Sequence, residues 1–140
     1  RPAATIQFVV FLVITGFRLL ILAQMTGFAR LKTKQFHAPE DGRGKEGASF
    51  GPSSTGEMSL PDRAMRAHYN AMENDLVWLL AAFALQLSGA NTSAMIVLNT
   101  FYQFFRICHP IFYMLGKQPF RAISFLGGAL CCIIMLAYAL

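Results

Sequence analysis

Charge is what this sequence has least of. Only 14% of its 140 residues are charged against 55% that are hydrophobic, and the mean hydropathy is +0.46. A soluble domain carries about a quarter of its residues charged to wet its surface, so composition excludes a disordered tail and argues against a soluble globule. Cysteine is scarce too. Cys108, Cys131 and Cys132 all lie in apolar stretches and have neither the number nor the spacing of a disulfide framework or a zinc site. They read as buried packing residues, and no metal is expected. The length excludes two ordinary globular domains and leaves a single domain or a few membrane-crossing helices. Acids are the scarcest charges, 7 Asp plus Glu against 12 Lys plus Arg, for a net +5. On composition alone that surplus fits lipid headgroups or nucleic acid, so the placement of the cations decides between partners.

The sequence is instead rich in long apolar runs, which predict an all-α chain of four transmembrane helices at about 3–29, 61–87, 92–115 and 120–140. The first is long enough to cross a hydrocarbon core of roughly 30 Å at 1.5 Å per residue. It is interrupted mainly by Gln7, Arg18 and Gln24. It is too long for the apolar core of a signal peptide and lacks a small-x-small cleavage site, so it reads as a mature helix; Arg1 in place of methionine reads as a trimmed terminus. Ser59-Leu60-Pro61-Asp62 opens the second span with a hydroxyl cap, a proline in the first turn and an acid near the helix N-terminus. Ser88-Gly89-Ala90-Asn91 closes it, and Gly116-Lys117-Gln118-Pro119 closes the third.

The first connection, about 31–58, differs in kind. It holds Lys32, Lys34, Glu40, Asp41, Arg43, Lys45, Glu46 and Glu57 and is rich in glycine and serine from Gly42 to Gly56. That composition predicts a solvated, mobile loop with no core of its own. The second connection is uncharged, whereas the third carries Lys117 and Arg121. Loops one and three share a side and hold the cations, so the positive-inside rule makes that side cytoplasmic and puts both termini opposite. Asn91-Thr92-Ser93 is formally a glycosylation sequon, too close to two helix ends to be used.

A charge at the centre of a span costs about 2.5–3.5 kcal/mol even on lenient scales, so each one is a candidate for function. In the second span Arg63, Arg66, Asn70 and Glu73 step by three, four and three, which puts them on one helical face opposite Leu76, Leu79, Leu80 and Phe83. Tyr102, Arg106, His109 and Tyr113 repeat the pattern in the third span, and Arg18 stands alone in the first. One explanation is internal: Glu73 pairs with Arg106 or Arg66, while Asn70 and His109 make interhelical hydrogen bonds. Arginines 18, 63, 66, 106 and 121 nevertheless outnumber the nearby acids, Asp62, Glu73 and Asp75, and leave about two guanidinium groups without a protein partner. Arginine cannot escape burial by losing its proton. An anionic ligand at the loop-one end of the helices satisfies the balance, and arginine forks suit carboxylates. Tyr69, Tyr102 and Tyr113 are available there as hydrogen-bond donors, and a lipophilic second substrate would enter through the bilayer.

The run Arg63-Ala64-Met65-Arg66-Ala67-His68-Tyr69-Asn70-Ala71-Met72-Glu73-Asn74 resembles the second-helix signature of the membrane-associated proteins in eicosanoid and glutathione metabolism, the MAPEG family. Thr26-Gly27, Arg30-Leu31 and Phe36-His37-Ala38-Pro39-Glu40-Asp41 resemble its first helix end and loop; Arg106, His109 and Tyr113 its third helix; Pro119, Arg121, Ser124 and Phe125 the start of its fourth. The resemblance implies a four-helix transmembrane bundle assembled as a homotrimer, usually in the endoplasmic reticulum, with glutathione bound between subunits. By position it implies glutathione contacts at Arg30, Arg66, Asn70, Glu73, His109, Tyr113 and Arg121, with Arg18 at the same interface. Arg121 takes the place of the arginine beside the glutathione sulfur, and Asp41 that of a loop acid proposed to handle a proton. The implied partners are glutathione, a lipophilic electrophile and membrane lipid, and no nucleic acid.

Departures bear on the branch. Ala122 and Phe125 stand where the prostaglandin synthase branch has a serine and a tyrosine, and Tyr69 where it has a further arginine. The resemblance therefore favours a glutathione transferase, with reduction of lipid hydroperoxides as a companion activity. A glutathione-dependent prostaglandin isomerase and a non-catalytic membrane adaptor remain as alternatives.

Overall fold

The computed structural model describes residues 2–51 and 57–140. Five helices and two short strands make up the chain in the order α1 (Pro2–Thr33), β1 (Gln35–Phe36), α2 (Pro39–Gly42), β2 (Ser49–Phe50), α3 (Leu60–Leu87), α4 (Thr92–Met114) and α5 (Gln118–Ala139). The four long helices form an all-α bundle, and each falls within a few residues of its predicted span. At 1.5 Å per residue the 32 residues of α1 exceed the hydrocarbon thickness. Its last turn carries Arg30 and Lys32, which the negative end of the helix dipole favours.

Local chemistry sets the other helix ends. The Ser59 hydroxyl oxygen accepts from the Asp62 N–H (3.3 Å) and the hydroxyl donates to the Asp62 carboxylate (2.6 Å), capping α3. Asn91 caps α4 by accepting from the Ser93 N–H at 2.8 Å, which engages the sequon's asparagine in the helix start. Gly116, at φ +67°, makes the left-handed turn into α5.

The helix α3 is the hub, packed against α1, α4 and α5, while α4 and α5 share the most extensive contact. Buried Ala64, Ala67, Ala71, Ala81 and Ala82 line its inner face and allow close backbone approach. The core around them joins Trp78, Leu85, Met95, Tyr102, Cys131, Cys132 and Met135. Two of the three cysteines thus occupy the expected packing positions, and Cys108 is half-buried. Polar rungs cross this core, with Trp78 Nε1 donating to Asn99 Oδ1 at 2.8 Å and Gln103 Nε2 to Thr15 Oγ1 at 2.6 Å. The outer faces carry exposed Leu76, Leu80, Phe83, Phe101, Ile123 and Ile133. A bundle that is apolar outside and hydrogen-bonded inside is built for lipid. Both α1 and α5 are long and apolar enough to cross a membrane, while α3 and α4 carry the polar groups.

The first connection departs from expectation. Gln35 pairs with Ser49 and Phe36 with Phe50 in a parallel two-stranded ladder, with α2 as the crossover. Phe36 is buried at 3% exposure beneath the Lys45 ammonium, which sits 4.3 Å from its ring centre. A Cβ on Gly42 would come within 2.6 Å of the Phe50 ring. The polar composition hid this small core, which rests on buried Phe36, while Phe50 stays half exposed against Gly42. Residues 52–56 of the glycine- and serine-rich stretch lie outside the described residues.

Candidate functional site

The stripe on α3 faces the stripe on α4, and the arginines around them divide into those the bundle holds and those it leaves over. Arg18 Nη2 donates to Asp75 Oδ1 at 2.6 Å and Nη1 to the Arg106 carbonyl at 3.0 Å. Tyr102 Oη donates to the same Asp75 oxygen at 2.8 Å. Arg63 closes the loop end of the bundle, with Nε on the Met58 carbonyl at 3.2 Å and Nη1 on the Tyr113 carbonyl at 3.5 Å, among the last carbonyls of α4. Arg106 Nη2 donates to both the carbonyl and the side-chain oxygen of Asn70, at 2.9 and 3.0 Å. Of Arg18, Arg63, Arg66, Arg106 and Arg121, this leaves Arg66 and Arg121, and neither forms an ion pair among the described residues.

Both line adjoining cavities. The first, about 420 Å³, is walled by Met65, Arg66, Tyr69, Asn70, Glu73 and Tyr113. The second, about 370 Å³, is walled by Asn70, His109, Tyr113, Gln118, Arg121, Ala122, Phe125 and Leu126. Asn70 and Tyr113 are common to both, so the two form one groove along α3, α4 and α5, with each part inside the roughly 300–1,000 Å³ of small-molecule sites. The Arg121 guanidinium stacks 4.7 Å from the Tyr113 ring centre, which holds its charge at the groove without an acid. His109 is buried between the Tyr113 and Phe125 rings, at 5.8 and 6.2 Å, and its Nδ1 has no hydrogen-bond partner among the described residues. Cationic groups at both ends, an acid at Glu73 and an amide between them can hold a small zwitterion with a net negative charge.

Six of the residues expected to bind a ligand thus come together: Arg66, Asn70, Glu73, His109, Tyr113 and Arg121. Arg18 lines neither part of the groove, because Asp75 holds it in the core. Tyr102 likewise gives its proton to Asp75 and is turned from the groove. Arg30 is half-buried near the end of α1 and Asp41 is exposed in α2; neither lines the groove, and α1 contributes no wall to it. The expected ion pairs of Glu73 with Arg106 or Arg66 are replaced by the Arg106–Asn70 bonds. The sequence reading missed Met65, Gln118 and Leu126 as wall residues, and Asp75 as the counter-charge of Arg18. Asp75 falls on the alanine row of α3, which was the available signal. A larger cavity of about 630 Å³ lies between α1 and α4, is almost wholly apolar, and shares no wall residue with the groove.

The MAPEG family model matches residues 8–140. The chain belongs to the MAPEG family. Among curated MAPEG relatives, microsomal glutathione S-transferase 1 of Homo sapiens is 32% identical over 117 residues, covering 79% of this chain and 72% of its own. The Rattus norvegicus protein of the same name is 32% identical over 130 residues, covering 85% and 81%. Prostaglandin E synthase of Homo sapiens is 30% identical over 122 residues, covering 84% and 76%. The MAPEG match takes in the whole groove, from Met65 to Leu126.

Proposed function

We propose that the groove binds glutathione and that the chain is a membrane-bound glutathione transferase acting on lipophilic electrophiles. The observation that carries this reading is that Arg66 and Arg121, neither of them in an ion pair among the described residues, line one groove with Asn70, Glu73, His109 and Tyr113. Glutathione offers two carboxylates, an ammonium and a thiol. Arginines answer the carboxylates, Glu73 the ammonium, and Arg121 the sulfur. A thiol is mostly protonated at neutral pH and only the thiolate is a good nucleophile. A fixed guanidinium stabilises the thiolate without entering the proton exchange, at about 1.4 kcal/mol for each unit by which it lowers the thiol pKa. The thiolate then forms a carbon–sulfur bond with an electrophile dissolved in the lipid, and the displaced electron pair leaves with the departing group. The names of the glutathione S-transferase relatives support the assignment.

Prostaglandin E synthase among the relatives supports an isomerase as the second reading. Ala122 and Phe125 weigh against it, since these wall positions bring no hydroxyl beside Arg121. In either case the reading includes an integral membrane protein, in the endoplasmic reticulum by family resemblance, with loops one and three cytoplasmic. It also includes a homotrimer in which α1 of one subunit covers the groove of another, bringing Arg30 and Asp41 to it. Conjugation of glutathione to an apolar aryl halide tests the function: Arg121→Ala should fold normally and lose about 100-fold or more in kcat/KM, the scale of removing one charge-stabilising group from a reaction. Equal rates in the variant and the parent would remove Arg121 from the chemistry. Turnover of a prostaglandin endoperoxide without conjugation would favour the isomerase.

A further inference from the structure

Asn70 is the residue shared by both halves of the groove that comes from α3, and its side-chain orientation is set from behind. Arg106 Nη2 reaches its Oδ1 at 3.0 Å and its main-chain carbonyl at 2.9 Å. A guanidinium can only donate, so the amide end facing Arg106 has to be the oxygen and the Nδ2 hydrogens have to point elsewhere. The described residues supply no acceptor to Nδ2, and the walls that Asn70 enters are those of the groove.

Arg106 itself has little freedom to move. It is 1% exposed, its carbonyl is held by Arg18 Nη1 at 3.0 Å, and Arg18 is anchored on Asp75. On the α5 side its stem lies against Gly128, where a Cβ would come within 3.1 Å of Cδ. Tyr102, which donates to Asp75, stacks on Trp78 with ring centres 5.4 Å apart. Arg106 Nε and Nη1 have no hydrogen-bond partner among the described residues, so its side chain hydrogen-bonds there to Asn70 alone and keeps the amide dipole aligned.

We propose that Arg106 is a positioning residue that acts through Asn70. It locks the amide so that this point of the groove always presents an N–H donor, and the ligand atom opposite is a carbonyl or carboxylate oxygen. The proposal rests on the groove binding glutathione, as argued above.

Calorimetric titration of glutathione into detergent-solubilised wild type, Asn70→Ala, Arg106→Gln and the double variant tests it, with a thermal melt of each. Glutamine can turn either end of its own amide toward Asn70, which frees the Asn70 amide to flip. Each single variant should weaken glutathione binding about tenfold, the scale of one hydrogen bond involving a charged group, and the double variant should be no weaker than Asn70→Ala. A double variant whose loss is the product of the two singles shows that Arg106 acts independently of Asn70 and overturns the proposal. So does an unchanged Kd in Arg106→Gln. If Arg106→Gln does not fold, Asn70→Asp serves: it gives Arg106 a better partner, so the melt holds, but it puts an oxygen where the donor stood. Glutathione binding should then fall about tenfold or more, and unchanged binding overturns the proposal. Wild-type protein that fails to bind glutathione overturns the functional reading first and this proposal with it, an outcome distinct from binding that ignores Arg106.

Discussion

Arg18 and Arg106 bring two positive charges into the core, Asp75 brings one negative charge, and the Tyr102 hydroxyl shares the Asp75 oxygen with Arg18. Asp75 is 5% exposed and Arg18 7%, so neither charge can turn to water. Removing the acid alone leaves Arg18 buried without an anion. Asp75→Leu should therefore destabilise the bundle by about 3–5 kcal/mol, whereas Arg18→Met with Asp75→Leu should recover at least half of that, because the two charges leave together. Unfolding in mixed micelles with increasing dodecyl sulfate measures both, and equal losses in the single and double variants would show that the pair carries no special weight. Arg66, Asn70 and Glu73, or His109 and Tyr113, were legible in the sequence because three- and four-residue steps put them on one helix face. Asp75 was not legible as a partner, because its role depends on Arg18, 57 positions away, being packed opposite it. Spacing within one helix carries no information on that.

At the scale of elements, helix existence and bounds followed from apolar length and from caps, which are local. The first connection did not, because composition averages over a segment and one buried phenylalanine with a short ladder is enough to order one. Its core is Phe36, held beneath Lys45 and strapped by the β1–β2 ladder, in which Ser49 N donates to the Lys34 carbonyl at 2.9 Å and Gly51 N to the Phe36 carbonyl at 3.0 Å. Phe36→Ser removes the buried ring and leaves too little to hold so short a ladder. Trypsin should then cut at Arg43 and Lys45 at least tenfold faster than in the parent, since cleavage follows the population of the locally open form. The melting temperature of the bundle should stay within a degree or two, because the small core sits apart from the four-helix interface. Equal proteolysis of variant and parent would show that the ladder adds no protection.

The whole molecule has its groove on α3, α4 and α5, while Arg30 stands on α1, which packs on α3 and α4 from elsewhere and supplies none of the walls. The proposed homotrimer, with α1 of one subunit over the groove of another, would resolve this and would also cover part of an outer surface rich in leucine, isoleucine and phenylalanine. Such a site would be built from two chains, which makes mixed assemblies informative. Arg30→Ala and Arg121→Ala, each expressed alone, should give trimers in which every site is defective. Expressed together in equal amounts and mixed at random, they give sites whose α1 and whose α5 are drawn independently, so about one site in four has both arginines. Conjugation of glutathione should then return to about a quarter of the parent rate, and pulling down one tagged variant should recover the other. If the site belonged to one chain, co-expression would leave the rate at the mean of the two defective proteins, because every chain would still lack one of its two arginines. Recovery would therefore place Arg30 across a subunit boundary from Arg121, and it would do so whichever electrophile is used in the assay.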